Sequence, residues 1–129
     1  MIDVGALAAM EGAHRATLDY VHERQAFGRP ITDFQNTRFR LAEVATQITV
    51  GRAFIDRCVE QPLAGAFDAA TASMAKLWAS ETEGDVIDEL LQLHGGYGYT
   101  NEFKIARKCE PSRRCDLHCT VNPPVGACN

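Results

Sequence analysis

Apolar residues return every three or four positions along most of this chain, and the rhythm stops where glycine and proline cluster. From Val4 to about Gln25 the stripe is Leu7, Met10, His14, Thr17, Leu18 and Val21, with Glu11, Arg15, Asp19 and His22 opposite, which predicts an amphipathic helix. Gly28 and Pro30 in the segment FGRPITD end it, and Asp33 is placed to cap the next helix through its carboxylate. A second helix is predicted from Phe34 to about Glu60, burying Leu41, Val44, Ala45, Ile48, Ile55 and Val59. Pro62 and Gly65 mark a turn, and Asp68 offers an N-cap. A third helix is then predicted from Ala69 to about Leu93, with Met74, Leu77, Trp78, Val86, Leu90 and Leu93 on one side. It stops at Gly95, Gly96 and Gly98, after which NEFKIARK can restart a shorter helix.

Long helices with short connections and little strand alternation predict an all-α fold of the antiparallel up-and-down bundle type. Three such helices bury a modest core. Any apolar face left over needs a fourth helix or another subunit, so self-association is expected on packing grounds alone. Beyond Lys108 the period is lost and Pro111, Pro123 and Pro124 appear, which predicts an irregular tail. The expected division is therefore a helical domain over 1–108 and a flexible tail over 109–129.

Composition narrows the functions open to such a domain. The chain has 129 residues, 46% of them hydrophobic and 23% charged, the size of a single folding unit. That is small for an enzyme that must enclose both a large cofactor and a large substrate, because such sites draw walls from several domains or subunits. A formal charge of -4 argues against a nucleic-acid partner. No apolar run approaches the length that spans a bilayer, and the first residues lack a basic start followed by an apolar stretch. The expectation is a cytoplasmic protein without membrane insertion. Four of the five cysteines fall after Lys108, at Cys109, Cys115, Cys119 and Cys128. Cys115, His118 and Cys119 can be drawn as a metal site, but an odd total without CxxC reads more simply as unligated thiols, so no metal is expected.

Among possible sites, Asp85, Asp88 and Glu89 read as a solvated helix face, and His14 as a core or interface histidine. Two patches carry more chemistry. In the first, Arg24 precedes Phe27, Gly28 and Pro30, so a guanidinium can fork onto a phosphate while an aromatic ring packs against a planar group. An ion pair explains Arg24 equally well at this stage. In the second, Gly95, Gly96 and Gly98 let backbone approach a ligand, without the spacing of a dinucleotide or phosphate-loop motif; a plain turn is the alternative.

YVHERQAFGRPITDFQNTRFRLAEVA, MAKLWASE and QLHGGYGYTNEFKIARK, in that order and at fitting separations, resemble the C-terminal helical domain of the acyl-CoA dehydrogenases over about Gly5 to Lys108. The resemblance implies a four-helix bundle that mediates dimer or tetramer assembly and supplies part of an FAD site. It assigns Arg24 and Phe27 to the flavin dinucleotide, Gln35 to the following helix's contact, and Gln92, Gly95 and Gly96 to a segment that reaches FAD across a subunit boundary. The two patches then become halves of one intersubunit site. Arg24 would neutralise pyrophosphate, Phe27 would lie near the adenosine, the glutamines would hydrogen-bond, and the glycines would allow close approach.

Complete members of that family perform α,β-dehydrogenation of acyl-CoA thioesters, in which a glutamate removes the α proton and FAD accepts the β hydrogen as hydride. They also carry an N-terminal helical domain and a middle β domain, which this sequence does not match. Their glutamate stands in a late tyrosine-glutamate-glycine-threonine segment or upstream of the part matching Gly5. Gapless counting from Lys108 puts Cys119 at the late position, so no catalytic residue is assigned here, and neither Glu11 nor Glu23 is placed beside an acyl α carbon. The expectation is an oxidoreductase-related domain that does not complete the reaction alone, with acyl-CoA bound only in a full assembly and a companion chain as the source of the missing domains. The alternative is a noncatalytic helical oligomerisation module that has lost flavin binding.

Overall fold

The first helix, α1 (Ile2–Glu23), forms where the three- and four-residue spacing brings Ala6, Leu7, Met10, Ala13, Thr17 and Val21 onto one buried face. Thr17 can sit in that face because its hydroxyl donates to the Ala13 carbonyl at 2.9 Å. The computed structural model describes residues 2–63, 65 and 68–99 of the chain.

After α1 comes an element that periodicity does not announce. Gln25–Ala26 (β1) and Arg29–Pro30 (β2) pair antiparallel, Gln25 opposite Pro30 and Ala26 opposite Arg29. The two residues between them, Phe27 at φ 54° and Gly28 at φ 77°, have the doubly positive φ that a type I′ hairpin turn requires. A short 3-10 turn, Ile31–Asp33, then leads into α2 (Gln35–Leu63). Asp33 therefore lies inside the 3-10 turn rather than capping α2; the Phe34 carbonyl accepts from the Arg38 amide at 3.2 Å in that place. The predicted cap of α3 (Ala69–His94) is present: Asp68 accepts from the Ala70 and Thr71 amides at 3.1 and 3.2 Å. The Thr71 hydroxyl, which also donates to it, and then these two amides hold the Asp68 carboxyl below its ordinary pKa. A second 3-10 turn, Gly95–Tyr99, follows α3.

The helices run up, down and up. Arg52 of α2 meets Glu11 of α1, Arg40 of α2 meets Glu89 of α3, and Tyr20 near the end of α1 meets His94 at the end of α3. Leu7, Met10, Leu41, Val44, Ile55, Val86, Ile87 and Leu90 fill the space between them. Phe54 and Trp78 close one side edge to face, with centroids 6.1 Å apart. Gly51 is needed there, since a β-carbon at that position would run into the Trp78 ring.

Two expectations are corrected. Among the described residues the all-α domain contains three long helices, not a four-helix bundle. Periodicity supports three; the four-helix bundle is what the family resemblance implies, and NEFKIARK, which can restart a shorter helix, lies outside the described residues, as does the tail with its cysteines. The second correction concerns the packed face of α3. Met74 and Leu77 are 54% and 56% exposed, and Ala75, Ala79, Ser80 and Glu83 are buried instead. The small side chains let the helices approach closely, an outcome that hydrophobic period does not reveal because this stretch is apolar on two sides. Val59 of α2 likewise points outward, 45% exposed.

Candidate functional site

The up-down-up course brings the end of α1, the start of α2 and the end of α3 to one end of the bundle, where Arg24, Phe27, Gln35, Gln92, Gly95 and Gly96 lie. Arg24 follows the last turn of α1, where its amide donates to the Tyr20 carbonyl at 2.8 Å. Its own carbonyl accepts from the Ile31 amide at 2.9 Å, which closes the base of the β1–β2 hairpin. Phe27, at the hairpin tip, is 96% exposed. Its ring meets Phe34 edge-on at 6.3 Å, and the Arg29 guanidinium lies 4.2 Å over the same Phe34 ring. The hairpin is thus braced against the start of α2, where Gln35 stands exposed.

The glycine segment reaches this end from α3. Tyr20 stacks on His94, with centroids 4.3 Å apart and 19° between planes, and the Tyr20 hydroxyl donates to the His94 carbonyl at 3.4 Å. Gly95, at φ 57°, turns the chain, and its amide donates to the Gln92 carbonyl. Gln92, Gly95 and Gly96 are exposed, and a β-carbon added at Gly96 would meet nothing within 4 Å. Gly98 differs: a β-carbon there would lie 2.8 Å from Leu91 and 2.9 Å from the His94 β-carbon, so its job is internal packing. The surface at this end presents cation, aromatic ring, amides and open backbone together, a donor set suited to a phosphorylated, planar ligand.

Tyr20 and His94 escaped the sequence reading. The available signal was that Tyr20 sits one turn before Arg24 and that His94 directly precedes the glycines. Burial holds the His94 imidazole below its ordinary pKa, against an opposing contribution from the Leu90 carbonyl.

Elsewhere, Asp85 and Asp88 are exposed and Glu89 pairs with Arg40 at 3.0 Å, as a solvated face implies. Glu11 lies away from the hairpin, with one carboxylate oxygen receiving both Nε and Nη2 of Arg52. No group of three or more metal-ligating side chains occurs among the described residues; Cys115, His118 and Cys119 lie outside them. No helix among the described residues is long and apolar enough to cross a membrane.

His14 lines a groove of about 430 Å³ between α1 and α2, with Leu18 and Ile48 among its walls. Its Nε2 is buried without a hydrogen-bond partner, and burial lowers its pKa, against an opposing contribution from the Leu41 backbone. Because the folded form resists protonation, stability is fully present above the ordinary value of 6.5 and is lost as pH falls toward the folded pKa. His14→Leu is expected to raise unfolding free energy by about 1 kcal/mol, since an orphaned buried polar atom costs on the order of 1–3 kcal/mol. It should also flatten the loss of stability between pH 7 and 5. Urea unfolding at both pH values checks this, and an unchanged slope with no gain would refute it.

Comparison with known proteins identifies the family and the fold. The sequence pattern described as "Acyl-CoA dehydrogenase, C-terminal domain" matches residues 1–114. The long-chain specific acyl-CoA dehydrogenases of Rattus norvegicus and Mus musculus mitochondria are each 43% identical over 124 residues, covering 96% of this chain and 27% of theirs. An acyl-CoA dehydrogenase structure from Geobacillus kaustophilus superimposes with a TM-score of 0.87 at 41% identity, over 92% of this chain and 31% of that one. The chain thus spans less than a third of the length of these relatives. The cytoplasmic expectation is overturned by the mitochondrial location of the two mammalian proteins. It had rested on the first residues of a stretch that, in these relatives, is a C-terminal domain, far from where an N-terminal address would be read. A family pattern over most of the chain, two relatives above 40% identity and the shared fold together place this chain in the acyl-CoA dehydrogenase family, as a match to its C-terminal domain.

Proposed function

We propose that this chain is the FAD-contacting and self-associating domain of an acyl-CoA dehydrogenase-type oxidoreductase. The observation that carries the reading is that Arg24, Phe27, Gln35, Gln92, Gly95 and Gly96, all exposed, lie toward one end of a single protomer, so both patches would meet the cofactor from the same side of a subunit boundary rather than from opposite sides of it. The residues fit the group: open space over Gly96 admits a ligand against backbone, and the exposed Phe27 tip packs on Phe34, whose ring carries the Arg29 guanidinium. Arg24 would fork onto the pyrophosphate, Phe27 would cover the adenosine part, and Gln35 and Gln92 would donate hydrogen bonds. When bound, FAD supplies the hydride acceptor for α,β-dehydrogenation of an acyl-CoA thioester. This chain positions that acceptor and contributes no assigned base, because Glu11 is engaged by Arg52 and Glu23 stands exposed at the end of α1. The base and the acyl pocket belong to the remainder of a full assembly, reached through a companion polypeptide or the rest of a longer chain.

A homo-oligomer, dimer or tetramer, supplies the missing wall. Phe39, Val50, Val59, Met74 and Leu77 remain between 45% and 60% exposed, more large apolar surface than a solitary domain needs to show. The same surface favours the second reading, a noncatalytic assembly module without flavin. Titration of the purified chain with FAD, followed by flavin fluorescence and native mass spectrometry, separates the two: saturable binding to an oligomer supports the first, and a colourless oligomer that ignores FAD supports the second.

Gly96 provides an internal check. Its backbone is outside the positive-φ region and its surroundings are open, so Gly96→Ala should fold with an unchanged thermal midpoint. If cofactor rests against that backbone, the added methyl group should weaken FAD binding by about tenfold through overpacking of the contact. Equal affinity in the variant would remove Gly96 from the site.

A further inference from the structure

The contact between Tyr20 and His94 joins residues 74 apart in sequence and links the two halves of the proposed site. The peptide between His94 and Gly95 is held at both of its polar atoms. Its carbonyl accepts the Tyr20 hydroxyl at 3.4 Å, and its amide, that of Gly95, donates to the Gln92 carbonyl. The orientation of this peptide plane sets the direction in which Gly95 and Gly96 leave α3, because a planar peptide transmits the rotation of one end to the other. The His94 side chain is itself fixed. One face of its ring stacks on Tyr20, its Nδ1 lies 3.1 Å from the Leu90 carbonyl, and the Gly98 backbone presses on its β-carbon too closely for any side chain at 98. On the other side of the contact, the Tyr20 carbonyl accepts the Arg24 amide at 2.8 Å, so the residue that touches the glycine turn also anchors the start of the hairpin.

We propose that Tyr20 and His94 are positioning residues that hold the Gly95–Gly96 backbone in register with Arg24 and the hairpin, so that both present to one phosphorylated ligand. The inference rests on the FAD-contacting reading of this end of the bundle, and the residues act through their neighbours rather than by touching the ligand. The hydroxyl of Tyr20 sets the peptide plane, and the ring stack sets the distance between the two segments. A stack alone would leave the carbonyl free to rotate, and a hydrogen bond alone would leave the turn free to slide along α3.

Tyr20→Phe removes the hydroxyl and keeps the ring, while His94→Phe keeps the stack and the main-chain carbonyl. In the full chain, Tyr20→Phe is expected to leave the thermal midpoint within a few degrees, shift the Gly95 and Gly96 amide resonances, and speed hydrogen exchange at the Gly95 amide about tenfold, the loss of one hydrogen bond's hold. FAD affinity should fall several-fold in the same variant. His94→Phe keeps the stack but loses the contact of Nδ1 with the Leu90 carbonyl, so it should move the Gly95 and Gly96 amides and lower the affinity less than Tyr20→Phe does. Unmoved Gly95 and Gly96 resonances in Tyr20→Phe would overturn the positioning role whether or not FAD binds. Shifted resonances with unaltered FAD affinity would overturn its link to the ligand. Failure of the unsubstituted chain to bind FAD would instead strike the functional reading, and the resonance measurement would still decide whether Tyr20 orients the turn.

Discussion

Replacing Leu90 by alanine is expected to lower the unfolding free energy by about 2–5 kcal/mol, the range for large-to-small changes in a packed core. Leu90 is fully buried in the cluster where α3 meets α1 and α2. Truncation removes its transfer free energy and leaves a cavity, because interhelical packing relaxes only in part. Against a total stability of roughly 5–15 kcal/mol for a domain of this size, that loss is large. Leu77 supplies the contrast. Hydrophobic period puts it on the same stripe as Leu90, yet it is 56% exposed, so Leu77→Ala should stay within about 0.5 kcal/mol in the protomer. Urea unfolding of both variants at one fixed protein concentration checks the pair, since self-association makes apparent stability depend on concentration. Equal losses in the two variants would mean that the packed face of α3 is not the one described.

Arg24→Ala is expected to weaken FAD binding by about 10–100-fold, because a hydrogen bond to a charged group contributes roughly 1.5–3 kcal/mol and the guanidinium can make two. The side chain leaves the bundle just past α1 and is exposed, so the variant should keep its thermal midpoint while losing the ligand. Arg24→Lys should fall between, keeping the charge and losing the planar fork. Raising salt should weaken binding to the unsubstituted chain more than to Arg24→Ala, because part of the lost interaction is between charges open to solvent. Isothermal titration with FAD at two salt concentrations reads all three. An affinity unchanged in Arg24→Ala would exclude the arginine from pyrophosphate recognition and shift weight to the glycine segment.

Of the six candidate site residues, Arg24, Phe27, Gly95 and Gly96 were legible by type, an arginine beside an aromatic at a turn and glycines after a helix, while Gln35 and Gln92 came only from the family resemblance. What was not legible was their meeting place. Tyr20 and His94 look like ordinary members of two helices until the fold stacks them. Asp33 shows the converse error. A carboxylate before a helix is a sound cap signal, but the hairpin and the 3-10 turn shift the start of α2 by one residue and leave Asp33 inside the turn. Asp68, with no intervening turn, caps α3 as its spacing predicts.

The sequence by itself determined the three long helices, the breaks between them and the family resemblance, because helix propensity, capping and glycine conformation act within a few residues of chain. Only the tertiary structure decided which face of α3 is buried and that Arg24 and Gly96 lie toward one end of the bundle. Those outcomes turn on how small side chains such as Ala75 and Ala79 let helices approach, and on contacts between residues far apart in sequence. Period marks a residue as apolar, but the shape of the partner surface determines whether it is buried.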